Sequence, residues 1–88
     1  MTRIAARSPA VAELSDPQRA VLEALNRLGA HDVIAAVAAG KAARESAHSL
    51  SVTAHILRGL ARIELIARTD LGDVWGYYLT AAGLERVR

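Results

Sequence analysis

The stretch Leu50–Arg68, LSVTAHILRGLARIELIAR, decides how this chain is read. Through about Ile63 its spacing is helical. Val52, Ile56, Leu60 and Ile63 fall four, four and three apart, with Leu57 beside them, as one apolar stripe. Ser51, His55, Arg58 and Arg62 fall four, three and four apart and form a second stripe of hydrogen-bond donors and positive charge with no acid. The helical period then stops, and Leu65-Ile66-Ala67-Arg68 reads as a short strand running to about Thr69. The spacing predicts a helix over 50–63, apolar on one side and basic on the other, that leads directly into a strand.

Working outward from there, Ser49 or Ser51 is placed to cap this helix, and the polar segment Glu45–Ser49 reads as the turn before it. Val33–Ala39 predicts a second helix of small residues. It ends at Gly40 or continues through Arg44, since alanine favours continuation while glycine costs about 1 kcal/mol inside a helix. Ala30-His31-Asp32 is a connector, with room for a strand of one or two residues and with Asp32 able to cap that second helix. Leu14-Ser15-Asp16-Pro17-Gln18 starts the first helix: Ser15 or Asp16 caps, Pro17 suits the first turn, and Gln18 completes a capping box. That helix runs to about Leu28, with Val21, Leu25 and Leu28 on one face, and Gly29 ends it in a left-handed conformation. Residues 1–13 have no clear period and read as a flexible N-terminal arm whose Arg3 and Arg7 are within reach of a phosphate backbone; residues 14–88 form the domain.

On the other side, Asp70-Leu71-Gly72-Asp73 is a turn between two strands, and Val74–Leu79 returns. Alternation sends Trp75 and Tyr77 to one face and Tyr78 to the other, so one face closes the core and the aromatic left outside suits a dimer contact. Thr80 caps a last short helix, Ala81–Val87, interrupted by Gly83. The order is helix, helix, helix, two-stranded hairpin, short helix.

Composition narrows the function. Eighty-eight residues allow one domain, and 52% apolar content without a phenylalanine points to a small aliphatic core with one aromatic cluster. No cysteine is present, which removes disulfides, thiolate catalysis and cysteine-based zinc sites. The longest apolar run is too short to span a bilayer, and there is no apolar segment of signal-peptide length, so a cytoplasmic location is expected. Net charge is only +2, but it is unevenly spread. Residues 41–68 carry Lys41, Arg44, Arg58, Arg62 and Arg68 against Glu45 and Glu64, whereas residues 13–32 are net acidic. That asymmetry favours an anionic partner for the middle of the chain. His31, His48 and His55, with Asp32, match no ligand spacing, and no phosphate loop, nucleophile elbow or catalytic carboxylate pair is evident. No metal, no cofactor and no enzymatic activity are expected.

The element order and several residues resemble the winged helix-turn-helix domains of bacterial regulators of the MarR and PadR kind. The resemblance is carried by Leu57-Arg58-Gly59-Leu60 through Glu64-Leu65-Ile66-Ala67-Arg68, then Tyr77-Tyr78-Leu79-Thr80-Ala81-Ala82-Gly83, and by Leu14–Leu22 at the start. It spans about residues 14–84. It implies a mainly α fold with a three-helix core, a two-stranded wing and a short C-terminal helix, and it implies double-stranded DNA as partner for a transcriptional regulator. The small interface of a single such domain predicts a homodimer on a two-fold-related site. Three features depart from that pattern. Glu64 stands where a glycine usually follows the recognition helix; the wing tip carries Asp70 and Asp73 instead of Arg or Lys; and the long dimerisation helices of full-length MarR regulators have no counterpart up to Arg88.

The resemblance makes 50–63 the recognition helix. Arg58 and Arg62, four apart, are suited to a major groove, where arginine reads guanine bidentately. Ser51 and His55 are candidates for base or phosphate contacts, and Thr53, Ser49 and Lys41 for phosphate. Arg68, opening the hairpin, is placed either to touch the backbone or to pair with Asp70 or Asp73. The alternative is a winged helix used as a protein-interaction module or adaptor without DNA, which the acidic wing fits.

Overall fold

The structure, a computed structural model, describes residues 13–88. The expected arm, with Arg3 and Arg7, lies almost wholly outside the described residues. The order is α1 (Asp16–Arg27), β1 (Val37–Ala38), α2 (Ala39–Ser46), α3 (Leu50–Arg62), β2 (Ile66–Asp70), β3 (Trp75–Leu79) and α4 (Ala81–Val87).

Helix α1 begins as its sequence predicts. The Ser15 hydroxyl accepts from the Gln18 amide at 3.2 Å, and the Ser15 amide donates to Gln18 Oε1 at 2.9 Å, a complete capping box. Its inner face buries Val21, Leu22, Ala24 and Leu25. Gly29 follows in the left-handed region, φ 74°, and Ala30 donates back to the Leu25 carbonyl at 3.0 Å.

The second helix does not lie where the sequence places it. Residues 33–36 form a turn, in which Asp32 Oδ1 accepts from the Ala35 amide at 3.0 Å, and Ile34 is 93% exposed. Val37 and Ala38 form a strand paired with Tyr77 and Gly76, and the helix proper is Ala39–Ser46. Gly40 therefore sits in its first turn and ends nothing, and only Ala47–Ser49 remains of the turn expected over 45–49. An alanine-rich run carries little information on helical phase. Here the hydrogen-bonding edge of β3 and the burial of Val37 outweigh its helix propensity. The wing is consequently part of a three-stranded antiparallel sheet, ordered β1-β3-β2, rather than an isolated hairpin.

Helix α3 matches its expected span, and Ser49 is the cap, accepting from the Val52 amide at 3.2 Å. Its buried stripe is Thr53, Ile56, Leu57 and Leu60. Val52, expected in that stripe, is instead 46% exposed. Leu22, Leu25, Leu57, Leu60, Leu65, Ile66 and Leu79 are fully buried in the aliphatic interior, closed by Tyr77. Helix α1 is clipped to α2 by Arg27, whose Nε lies 2.7 Å from Glu45 Oε2.

The three core helices end alike. In each, a left-handed residue lets the next amide reach back to the carbonyl of the helix's last turn: Ala30 to Leu25, His48 to Ala43 and Leu65 to Leu60, at 3.0–3.1 Å. The left-handed residues are Gly29, Ala47 and Glu64, with φ of 74°, 61° and 66°. Glu64 thus takes the conformation that a glycine would take more easily. Immediately beyond, Thr80 fastens the exit. Its amide donates to the Leu65 carbonyl at 3.1 Å and its hydroxyl to the Glu64 carbonyl at 2.7 Å, while that hydroxyl also caps α4 by accepting from Gly83 at 3.1 Å. Gly83 does not interrupt α4. It is buried, and its Cα abuts the Leu65 carbonyl.

Candidate nucleic-acid interface

A helix with 3.6 residues per turn puts Ser51, His55, Arg58 and Arg62 within about 60° of one another around its circumference. That arc lies opposite the buried Thr53–Ile56–Leu57–Leu60 stripe, and all four side chains are exposed. The apolar stripe fixes the rotation of α3, and its rotation decides what faces solvent. Thr53 is removed from the candidate set by the same geometry: it is fully buried, and its hydroxyl has no hydrogen-bond partner. Ser49 is exposed, with its hydroxyl engaged as the α3 cap, and Lys41 is exposed on α2.

Tertiary packing then divides the remaining set. Arg58, Arg62 and Arg68 come together around one groove between α3 and the hairpin, lined also by Ala61 and Tyr77. His55 lies on the other flank of α3, in a groove with Ser15, Pro17, Gln18, Val52 and Gly59. Cross-strand register explains how Arg68 joins the helix. It pairs with Tyr77, and Asp70 pairs with Trp75, so these four residues share one face of the hairpin. Near its base that face is core, where Ile66 and Leu79 are buried, and further out Arg68 and Tyr77 border the groove with Arg58, Ala61 and Arg62.

Arg68 makes neither of the ion pairs that its place in the hairpin allows. Its Cζ lies 4.2 Å from the centre of the Trp75 ring. The Asp70 carboxylate instead accepts from the Gly72 amide at 2.8 Å, inside the turn. No ion pair joins Arg58, Arg62 or Arg68 to an acid among the described residues. Glu45, the acid nearest in sequence to Lys41 and Arg44, is occupied by Arg27. The face therefore keeps its positive charge un-neutralised, in a region where low ionic strength would extend its reach. Arg44 is a further exposed basic residue of α2, three positions after Lys41. Sequence alone does not single it out, because the end of that helix is ambiguous between Gly40 and Arg44.

The wing tip is of different character. Leu71, Val74 and Trp75 are exposed there beside Asp70 and Asp73. Trp75 and Tyr77 do share a face, as alternation requires, but only Tyr77 reaches the core. No group of three or more His, Cys, Asp or Glu residues able to hold a metal occurs among the described residues, and none of their helices is long and apolar enough to cross a membrane.

No family model and no curated protein matches this chain. Solved structures do. TubR from Bacillus megaterium pBM400 aligns with a TM-score of 0.76 at 25% identity, over 85% of this chain and 83% of that one. Staphylococcus aureus MepR in complex with DNA aligns at 0.66 and 25%, over 84% of this chain and 59% of that one. The PcaV transcriptional regulator from Streptomyces coelicolor, in complex with its natural ligand, aligns at 0.73 and 25%, over 86% and 52%. The chain spans most of TubR and little more than half of the other two. The architecture is a MarR-like winged helix-turn-helix.

Proposed function

We propose that this MarR-like winged-helix domain is a transcriptional regulator that binds duplex DNA, with α3 in the major groove. The observation that carries the reading is the cluster of Arg58, Arg62 and Arg68 around one groove with no acid among the described residues paired to any of them. Arg58 and Arg62 would read guanine edges, with Ser51 and His55 contacting bases or phosphates along the same exposed arc. Lys41, Arg44 and the Ser49 segment would meet the backbone. The likeness to MepR, solved with DNA, supports the same assignment. A single domain of this size buries a small interface, so binding as a homodimer to a two-fold-related site accompanies the proposal, with α1, α4 or the N-terminal arm as contact surfaces.

The test is selection of bound fragments from random duplex DNA, followed by Arg58→Ala/Arg62→Ala. Each bidentate arginine–guanine contact carries about 1–3 kcal/mol of discrimination. The double variant should lose specific binding while its melting curve is unchanged. If it shifts the selected duplex as well as wild type does, the proposed face is wrong.

A second reading, a protein-interaction module without DNA, draws on the exposed Leu71, Val74 and Trp75 beside two acids at the wing tip. Salt separates the two. Affinity for duplex should fall steeply and linearly in log–log form if phosphates are engaged. No duplex binding at any salt, with a protein partner co-purifying, would favour the adaptor.

A further inference from the structure

We infer that Trp75 is a positioning residue: its indole holds the Arg68 guanidinium at the groove it shares with Arg58 and Arg62, where Arg68 takes a DNA phosphate. The inference rests on the DNA-binding reading and names how the wing takes part in it. Trp75 is 47% exposed, too far along β3 to serve the core that Tyr77 closes. Its contact with Arg68 lies between residues diagonal across the two strands, on the face that also carries Tyr77. Guanidinium is weakly hydrated and stacks on aromatic rings while keeping its N–H donors free, so the stack fixes the side chain without consuming its hydrogen bonds. An ion pair with Asp70 would have fixed it too, but would have cancelled its charge.

The charge is spared by specific geometry. Asp70, directly across from Trp75, turns its carboxylate to the Gly72 amide, and neither Asp70 nor Asp73 pairs with Arg68. Arg68 also borders a groove containing Glu64, and no ion pair joins those two. Three guanidinium groups facing one groove repel one another, and a phosphate taken by Arg68 lessens that repulsion while Arg58 and Arg62 stay free for base edges. The acids at the tip then mark where backbone contact ends: the wing grips from its strand, not from its tip.

The experiment is a double-mutant cycle on the full chain against the selected duplex, with affinity read across a salt series. Arg68→Ala should weaken binding and lower the log–log salt slope by about 0.9, one phosphate contact. Trp75→Ala should weaken binding about two- to five-fold, the range for an exposed cation–π contact, and should change nothing further in the Arg68→Ala background. Trp75→Phe should retain more affinity than Trp75→Leu, both keeping bulk on the hairpin if the alanine variant melts. Trp75 is the only tryptophan, so Arg68→Ala should also shift the emission of the free protein. An unchanged affinity in Trp75→Ala, or a loss that persists without Arg68, overturns the inference and leaves the DNA reading standing. Failure of the wild-type chain to bind any duplex overturns that reading, and the inference with it.

Discussion

Gly83→Ala should destabilise this protein, although the same substitution in most helices does the opposite. In a helix interior alanine is favoured over glycine by about 1 kcal/mol. Gly83 is the third residue of α4, and a Cβ there would overlap the Leu65 carbonyl oxygen, a backbone atom that no side-chain rotation can move aside. That carbonyl accepts from the Thr80 amide, and the Thr80 hydroxyl bonds the Glu64 carbonyl. To admit a methyl group, α4 must lift, loosening both bonds and the packing of Leu84 and Val87 on the core. Overpacking of this kind costs typically about 1–3 kcal/mol, more than the propensity gain returns. A net loss of up to about 2 kcal/mol is expected, lowering the midpoint by up to roughly 15 °C for a domain of this size.

The control is Gly59→Ala, in the middle of α3, where the new Cβ would meet nothing within 4 Å. It should raise stability by about 0.5–1 kcal/mol. Urea and thermal unfolding followed by circular dichroism would measure both. Equal signs for the two substitutions, or a Gly83→Ala variant as stable as wild type, would refute the packing argument. Because Thr80 also ties the base of the wing to the end of α3, Gly83→Ala should weaken the proposed DNA binding beyond what its stability loss explains.

Other substitutions probe the remaining features. Thr53→Val replaces a fully buried hydroxyl that has no partner with a methyl group of similar shape, and should stabilise by about 1 kcal/mol in urea titration; a destabilised variant would mean the hydroxyl is bonded after all. Glu64→Gly and Ala47→Gly each relieve a left-handed non-glycine residue and should gain about 0.5–1 kcal/mol apiece, additively given their separate helices, with a loss at either site counting against the termination geometry.

Much of this is legible in the chain itself. The Ser15–Gln18 box, the Ser49 and Thr80 caps, the span of α3 and the turn at Asp70–Asp73 are local devices, each set by residues within a few positions of one another. The β1 strand, by contrast, depends on an edge that lies some forty residues away in the chain, at Gly76 and Tyr77. Spacing alone misplaces the rotation of α3 by one position at its start, because Val52 and Thr53 have similar claims to a core face and only packing chooses between them.

The basic arc of α3 belongs to the sequence alone: a helical period determines that Ser51, His55, Arg58 and Arg62 share a side, whatever surrounds them. What the tertiary structure decided is which of them lie together in one groove. Hairpin register brought Arg68 to Arg58 and Arg62 and laid its guanidinium on Trp75 rather than beside an acid, while the start of α1 packed beside α3 put His55 in another groove. Helical spacing is a property of consecutive residues, whereas a groove between a helix and a strand exists only once both are packed on the same core.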